Sequence, residues 1–313
     1  MSLRATLLEW ALAVFILIPV WSALWHWIPG RFNETVHVRS KAEEAISLEH
    51  FHLSSSFGQL CLDSFRALFS LHFGPSPLYP GQNLNALVLR AWKVSAFLTV
   101  LSFGVALLFG LPLGFCAALL TVKTAQMLAQ SALSLSLCLS PLVAGMFLLV
   151  LEAQFPAFEH LLHTLSFKNG CTSVVNVQAI LCLGMSQIGV VAQLTQQGFE
   201  HWNRQPFVAV LQLRGFSRRR ILLEHCLRPA LVPLITFLGP TIGGILGASV
   251  VVERIFFLPG LGTLVVNATL NRDPHLLLAC TLITMVSVGG TILVSRLLVP
   301  LCDPRLRYEG TYA

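Results

Sequence analysis

Six apolar runs divide the chain, at residues 6–28, 94–122, 127–151, 174–194, 231–252 and 275–301. Each reaches the roughly 20 residues that a helix needs to cross a hydrocarbon core. The pattern predicts an all-α integral membrane protein with about six transmembrane helices. Between the first two runs, the stretch 31–90 holds most of the His, Glu and Asn of the N-terminal third. It is too polar to span and too long for a turn, so a small extramembrane subdomain is expected there. The resulting division is a first helix at 1–30, a subdomain at 31–93, a five-helix core at 94–302 and a tail at 303–313. The first run is long enough to span, and no small-residue cleavage site follows it, so it reads as an uncleaved helix.

Within the core, the polar segment 197–228 is longer than a helix connection needs. Residues 207–213 contain no helix breaker and end at Arg214-Gly215. A glycine there suits a left-handed helix stop, which has no Cβ penalty to meet. Residues 221–227 then read as a second short amphipathic helix before Pro229 and Pro233. The expected order is helix, glycine turn, helix, lying on one membrane face. Phe207 and Leu211, one turn apart, could anchor such a helix in a groove on a partner. Equally, the helix could rest on lipid headgroups, helped by Arg218, Arg219 and Arg220.

Composition sharpens this picture. The chain of 313 residues is 55% hydrophobic and only 11% charged, against about 25% charged in soluble domains. Mean hydropathy is +0.74. The net charge of +6 sits on scattered residues with no basic face interleaved with aromatics, so orientation in the membrane explains it better than nucleic acid does. With the N-terminus inside, short inner loops receive ten of the Lys and Arg near span ends and short outer loops only Lys168, Arg254 and Arg272. Both termini then lie inside. The eight cysteines show no metal spacing; Cys116, Cys138, Cys182 and Cys280 lie in apolar runs and read as buried thiols. Cys61 and Cys171 fall in expected outer loops, where an oxidising compartment would allow them to pair.

The sequence carries no phosphate-cradling G-x-x-x-x-G-K-[ST], no H-E-x-x-H and no G-x-S-x-G. Nothing marks a catalytic centre, and no metal site is expected. Gly239, Gly243 and Gly247 recur every four residues in the fifth span and invite close helix approach, either along a pore or partner subunit or within the chain. Gln178, Ser186, Gln187 and Gln193 in the fourth span must face protein or a wet cavity. Glu253 and Arg254, at the expected outer end of the fifth span, read as interfacial anchors.

Around Gly215 the sequence resembles a known family, and the resemblance extends through most of the chain. Gly215, then Leu227-Arg228-Pro229-Ala230 and Pro233, is similar to the cytoplasmic signature loop of ABC-importer permeases. Further short matches follow the branch that serves dipeptides and oligopeptides: Trp27-Ile28-Pro29-Gly30, Leu111-Pro112-Leu113-Gly114, Ser140-Pro141, Phe257-Leu258-Pro259-Gly260-Leu261-Gly262 with its Pro259, Gly260 and Gly262 outer-loop turn, Asn271-Arg272-Asp273, and the terminal Asp303-Pro304-Arg305-Leu306-Arg307-Tyr308. Departures are Gln193 and Gln196 where that family usually has basic residues, Gln212 where Arg is frequent, and Arg31 where Asp is usual.

The resemblance implies a type I ABC importer permease, the B-type subunit of a pair. On that reading Phe207, Val208, Leu211, Gln212, Arg214 and Gly215 couple to an ATPase. The implied partners are a second homologous permease, two P-loop ATPase subunits holding ATP and Mg, and an extracytoplasmic solute-binding protein, in a bacterial-type inner membrane. The chain itself would hold no cofactor. Peptide is the implied cargo, with nickel or another solute as alternatives on the same scaffold. An ion-coupled secondary transporter is the rival from another class; it predicts carboxylates at mid-membrane, whereas Glu152 and Glu253 lie near span ends. A membrane-embedded hydrolase would need a nucleophile–base pair at depth, and no His lies deep within a span.

Overall fold

The computed structural model describes residues 12, 15, 16, 19, 20, 78–79, 82–120, 123–137, 140–155, 167–169, 173–175, 177–271 and 273–302. Most of the first span and of the 31–93 subdomain, Cys61, Cys138, Cys171 and the 303–313 tail lie outside these residues.

The described elements are α1 (Leu84–Leu119), α2 (Lys123–Leu137), α3 (Pro141–Gln154), a hairpin of β1 (Phe167–Asn169) and β2 (Ser173–Val175), α4 (Val177–Asn203), α5 (Pro206–Leu213), α6 (Arg218–Arg220), a π turn (Ile221–Cys226), α7 (Leu227–Ala230), α8 (Val232–Thr236), α9 (Leu238–Ile255), α10 (Leu261–Leu270) and α11 (Pro274–Cys302). Among them α1, α4, α9 and the His275–Val299 part of α11 are long and apolar enough to cross a membrane. The pair α2 and α3 would add a fifth, broken crossing.

Three boundaries differ from the hydropathy pattern. First, α1 begins at Leu84 rather than 94. Its first turns are amphipathic, with Leu84, Val88 and Ala91 buried on one side, and window averaging over Arg90 and Lys93 hides such a stripe. Second, the expected span 127–151 is two helices bent by 89°. Pro141 opens α3 at a position where a proline needs no N–H, with Ser140 as N-cap accepting from Leu142 N at 3.3 Å. The same ring would clash with the carbonyl of Leu137 if α2 continued, and α2 ends there. Third, the expected span 231–252 is divided at Phe237 into α8 and α9, with Pro233 and Pro240 each in a first turn. The β1–β2 hairpin, paired antiparallel as Phe167 to Val175, Lys168 to Val174 and Asn169 to Ser173, was not visible in the pattern.

The chain divides into two units, residues 1–95 with 257–287 and residues 96–256 with 288–313. In the first unit, Leu84, Val88 and Ala91 pack with Leu261, Leu264 and Ala268 of α10 and Leu276, Ala279 and Cys280 of α11. Ser95 Oγ accepts from Leu261 N at 2.8 Å, Trp92 Nε1 donates to Ser287 Oγ at 2.6 Å, and Asp273 caps α11 by accepting from Leu276 N at 3.0 Å.

In the second unit α4 is the central helix, packed against α2, α3, α7, α8 and α9. Its contact with α1 depends on small residues. A Cβ on Gly114 would sit 2.4 Å from the Ala192 carbonyl oxygen, and one on Gly110 2.7 Å from Val191 side-chain atoms. Gly110-x-x-x-Gly114 therefore lets two backbones meet. Of the fourth-span polar residues, Gln178 and Ser186 are buried against protein, Gln178 donating to Glu152 and Ser186 Oγ to Leu183 O at 2.8 Å, while Gln187 and Gln193 are half-buried. Cys182 and Cys280 are buried as expected, whereas Cys116 is exposed. Glu253 corrects the interfacial-anchor reading: it is fully buried and accepts from Ser249 Oγ at 3.0 Å, while Arg254 is exposed.

Candidate functional site

The α4–α5 connection and the turn after α5 form the best-defined polar element of the second unit. Helix α4 runs on to Asn203, so the loop proper begins later than 197. Gln205 is extended (ψ 145°) and Pro206 starts α5, a pairing set by the restriction that proline places on its predecessor. At the other end Gly215 has φ +86°. Gly215 N bonds Gln212 O at 2.9 Å and Phe216 N bonds Leu211 O at 3.2 Å, the two bonds of a Schellman stop. The expected left-handed glycine is in place, and a second helical segment follows it.

The loop is fastened to the helix ends beneath it. Val208, Ile221, Cys226 and Ala230 are buried with Ala118 of α1 and Phe199 of α4, and Trp202, Leu211, Phe216 and Leu227 pack around them. Phe115 and Phe199 meet edge to face at 5.2 Å, and Trp202 lies 6.3 Å from Phe207. Gly198 of α4 sits against the Ala230 backbone. The Arg220 guanidinium lies 5.1 Å over the Phe216 ring and pairs with Glu224 at 2.9 Å. Burial pushes the Cys226 thiol above its usual pKa.

These contacts correct the choice of anchors. Val208 is 3% exposed and Leu211 packs on the same cluster, so both point into the chain. The outward apolar residues are Phe207 (37% exposed), Val210 (51%) and Leu213 (89%), at i, i+3 and i+6. Gln212, Arg214 and Gly215 are exposed beside them. Val210 and Leu213 were missed because spacing alone does not say which stripe of a uniformly apolar helix faces its own chain. Gln196, where a basic residue was looked for, is buried and donates to Glu200 at 2.7 Å.

The glycine stripe of α9 has two roles. Cβ atoms on Gly239 and Gly243 would lie 2.5 Å from Ile292 Cγ1 and 3.1 Å from Val288 Cγ1, so both seat α11 against α9 within the unit. Gly247 has open space. Gln187 is half-buried on α4.

At the 256–262 turn, Pro259 is exposed and Gly260 and Gly262 are buried. Gly260 N bonds Leu258 O at 2.9 Å, and extended Gly260 caps α10. Phe257, the first residue of the family-like stretch through Gly262, has φ +52° and is 93% exposed.

Several helices long and apolar enough to cross a membrane, seated on small-residue contacts, fit a polytopic membrane protein. The sequence pattern of the family described as "Binding-protein-dependent transport system inner membrane component" matches residues 110–308. Similar proteins include the oligopeptide transport system permease protein OppB of Haemophilus influenzae, 32% identical over 240 residues, 75% of this chain and 76% of that one. OppB of Escherichia coli K12 is 30% identical over 263 residues, 82% and 83% of the two chains. The dipeptide transport system permease protein DppB of Bacillus subtilis is 27% identical over 307 residues, 98% and 95%. The chain belongs to the binding-protein-dependent transport system inner membrane component family.

Proposed function

We propose that the chain is one of two permease subunits of an ATP-driven importer for peptides, and that α5 is where a separate ATPase drives it. Peptide as cargo is supported by the names of the relatives above. ATP and Mg belong on that reading to two P-loop subunits, this chain being non-catalytic, and an extracytoplasmic binding protein delivers the cargo. Both termini lie inside.

One observation carries the coupling role. Helix α5 is fixed from below by Val208 and stopped by Gly215, yet it shows Phe207, Val210 and Leu213 outward. A lever has to be stiff toward the part it moves and sticky toward the part that moves it. Val208 passes a displacement of α5 to Ala118 and Phe199, at the ends of α1 and α4. An ATPase groove would take the outward stripe as a helix in a groove. The second reading, a helix resting on headgroups, draws on the same outward stripe and on exposed Arg219 and Arg220.

The test is Leu213→Asp. Its side chain touches little of its own chain, so folding and membrane level should stay near normal. In a docked groove an unpaired carboxylate costs several kcal/mol, which lowers partner occupancy by orders of magnitude. Co-purification with the ATPase and peptide uptake should both fall more than tenfold. Retained ATPase binding with full uptake refutes the coupling role and leaves the headgroup reading.

A further inference from the structure

Helix α2 presents a side that the described residues of its unit leave open. It packs on α4, where Gly189 makes room for Ser136, but Met127, Gln130, Ser131, Ser134 and Leu135 are exposed. Gln130 and Ser131 make no hydrogen bond among the described residues. An amide and a hydroxyl cannot be left bare in hydrocarbon, where each unsatisfied group costs several kcal/mol. That side therefore meets water or another polar surface.

At the loop end of this strip lies a cleft of about 370 Å³, lined by Gln126, Met127, Gln130, Glu200, Asn203 and Arg204. Asn203 Oδ1 is buried there with no partner among the described residues. Gln126 is committed to the α1 terminus, donating to Leu120 O at 2.7 Å, and Glu200 accepts from Gln196. The orphaned acceptor needs a water or an N–H from beyond the described residues. It is independent of the strip yet lies in the same cleft. From Gln126 to Ser134 the helix rises about 12 Å, so the polar strip runs well into α2 from the loop end.

We propose that Gln130, Ser131 and Ser134 of α2, with Asn203 at the loop end, form one wall of the water-filled path through which peptide passes. The inference rests on the peptide-importer reading. Amides and hydroxyls can exchange hydrogen bonds with peptide N–H and C=O groups whatever the peptide's side chains. The flexible thioether of Met127 adapts to varied apolar groups. Packing against the second permease subunit is the alternative; the core of such an interface is apolar, whereas Gln130, Ser131 and Ser134 give this strip a polar character.

The test uses the assembled importer in proteoliposomes, in a cysteine-free parent carrying Gln130→Cys or Ser134→Cys. A charged methanethiosulfonate applied from both sides should modify both positions, cut peptide uptake at least tenfold, and be slowed by saturating peptide. Failure to react, with efficient crosslinking to the second permease instead, overturns the proposal in favour of subunit packing. Reaction without loss of uptake, in a parent that imports peptide, refutes the wall assignment alone. A parent that hydrolyses ATP but imports no peptide refutes the peptide reading, and the peptide part of this inference with it.

Discussion

Gly215 offers the cleanest separation of backbone geometry from contact. A Cβ built on it meets nothing within 4 Å, so substitution there acts through the backbone alone. At φ +86° an L-residue is strained by about 1–2 kcal/mol, more if β-branched. The chain can instead leave the left-handed region, which breaks the Gly215–Gln212 and Phe216–Leu211 bonds at about 0.5–1.5 kcal/mol each. Either route disfavours the native turn by an amount worth roughly 5–30-fold in population. The spans do not depend on this turn, so Gly215→Val should reach the membrane at near-normal level. Peptide uptake in vesicles should fall about 5–30-fold, with a parallel loss of ATPase co-purification, because α5 is no longer held at its angle. Gly215→Asn should keep most of the uptake, since asparagine enters the left-handed region readily. Equal damage from Asn and Val would refute the backbone argument, and full uptake by the Val variant would refute the need for a fixed α5.

Gly114→Val should be far more harmful to folding than Gly215→Val: a Cβ 2.4 Å from the Ala192 carbonyl forces α1 from α4, at about 1–3 kcal/mol or more, read as lower membrane level and a lower melting temperature in detergent. Asp273→Ala removes the cap on Leu276 N and should destabilise by about 1 kcal/mol, again visible as a melting shift, with uptake per folded molecule unchanged. For topology, Ser55→Cys and Ser217→Cys in a cysteine-free background should react with an impermeant maleimide from opposite membrane faces; reaction from one face alone overturns the arrangement. In a background keeping only Cys226, that thiol should resist alkylation at pH 8 until denaturant is added, because it is buried and its pKa is raised, and the thiolate is the reactive form.

What the sequence revealed follows from which signals are local. Gly215 was legible because one backbone requirement, a left-handed stop, selects one residue type. Ser140-Pro141 carries an equally local signal, a cap and a helix start, but an apolar run counted by hydropathy passes straight over it. The first turns of α1 were hidden for the opposite reason: Arg90 and Lys93 depress the average, although Leu84, Val88 and Ala91 keep a buried stripe. Glu253 was misplaced because a carboxylate at a span end normally meets water, and only the fold shows it buried, with Ser249 bonded to it.

Helix α5 shows where local reading ends. Residues 206–213 are apolar on every side except Gln212, so periodicity cannot separate the side that holds from the side that is offered. That division comes from Ala118, Phe199 and Ile221, which lie 90, 9 and 13 positions from Val208 in the sequence. They take Val208 and Leu211 into the chain, and Phe207, Val210 and Leu213 are then left outside. The same reasoning separates the α9 glycines: Ile292 and Val288 occupy the space beside Gly239 and Gly243, while Gly244 and Gly247 meet nothing within 4 Å among the described residues. In both helices, the surface open to a partner is what remains after the chain has satisfied itself. Leu213, with 89% of its surface uncovered, is therefore a better place to probe the proposed ATPase contact than Leu211.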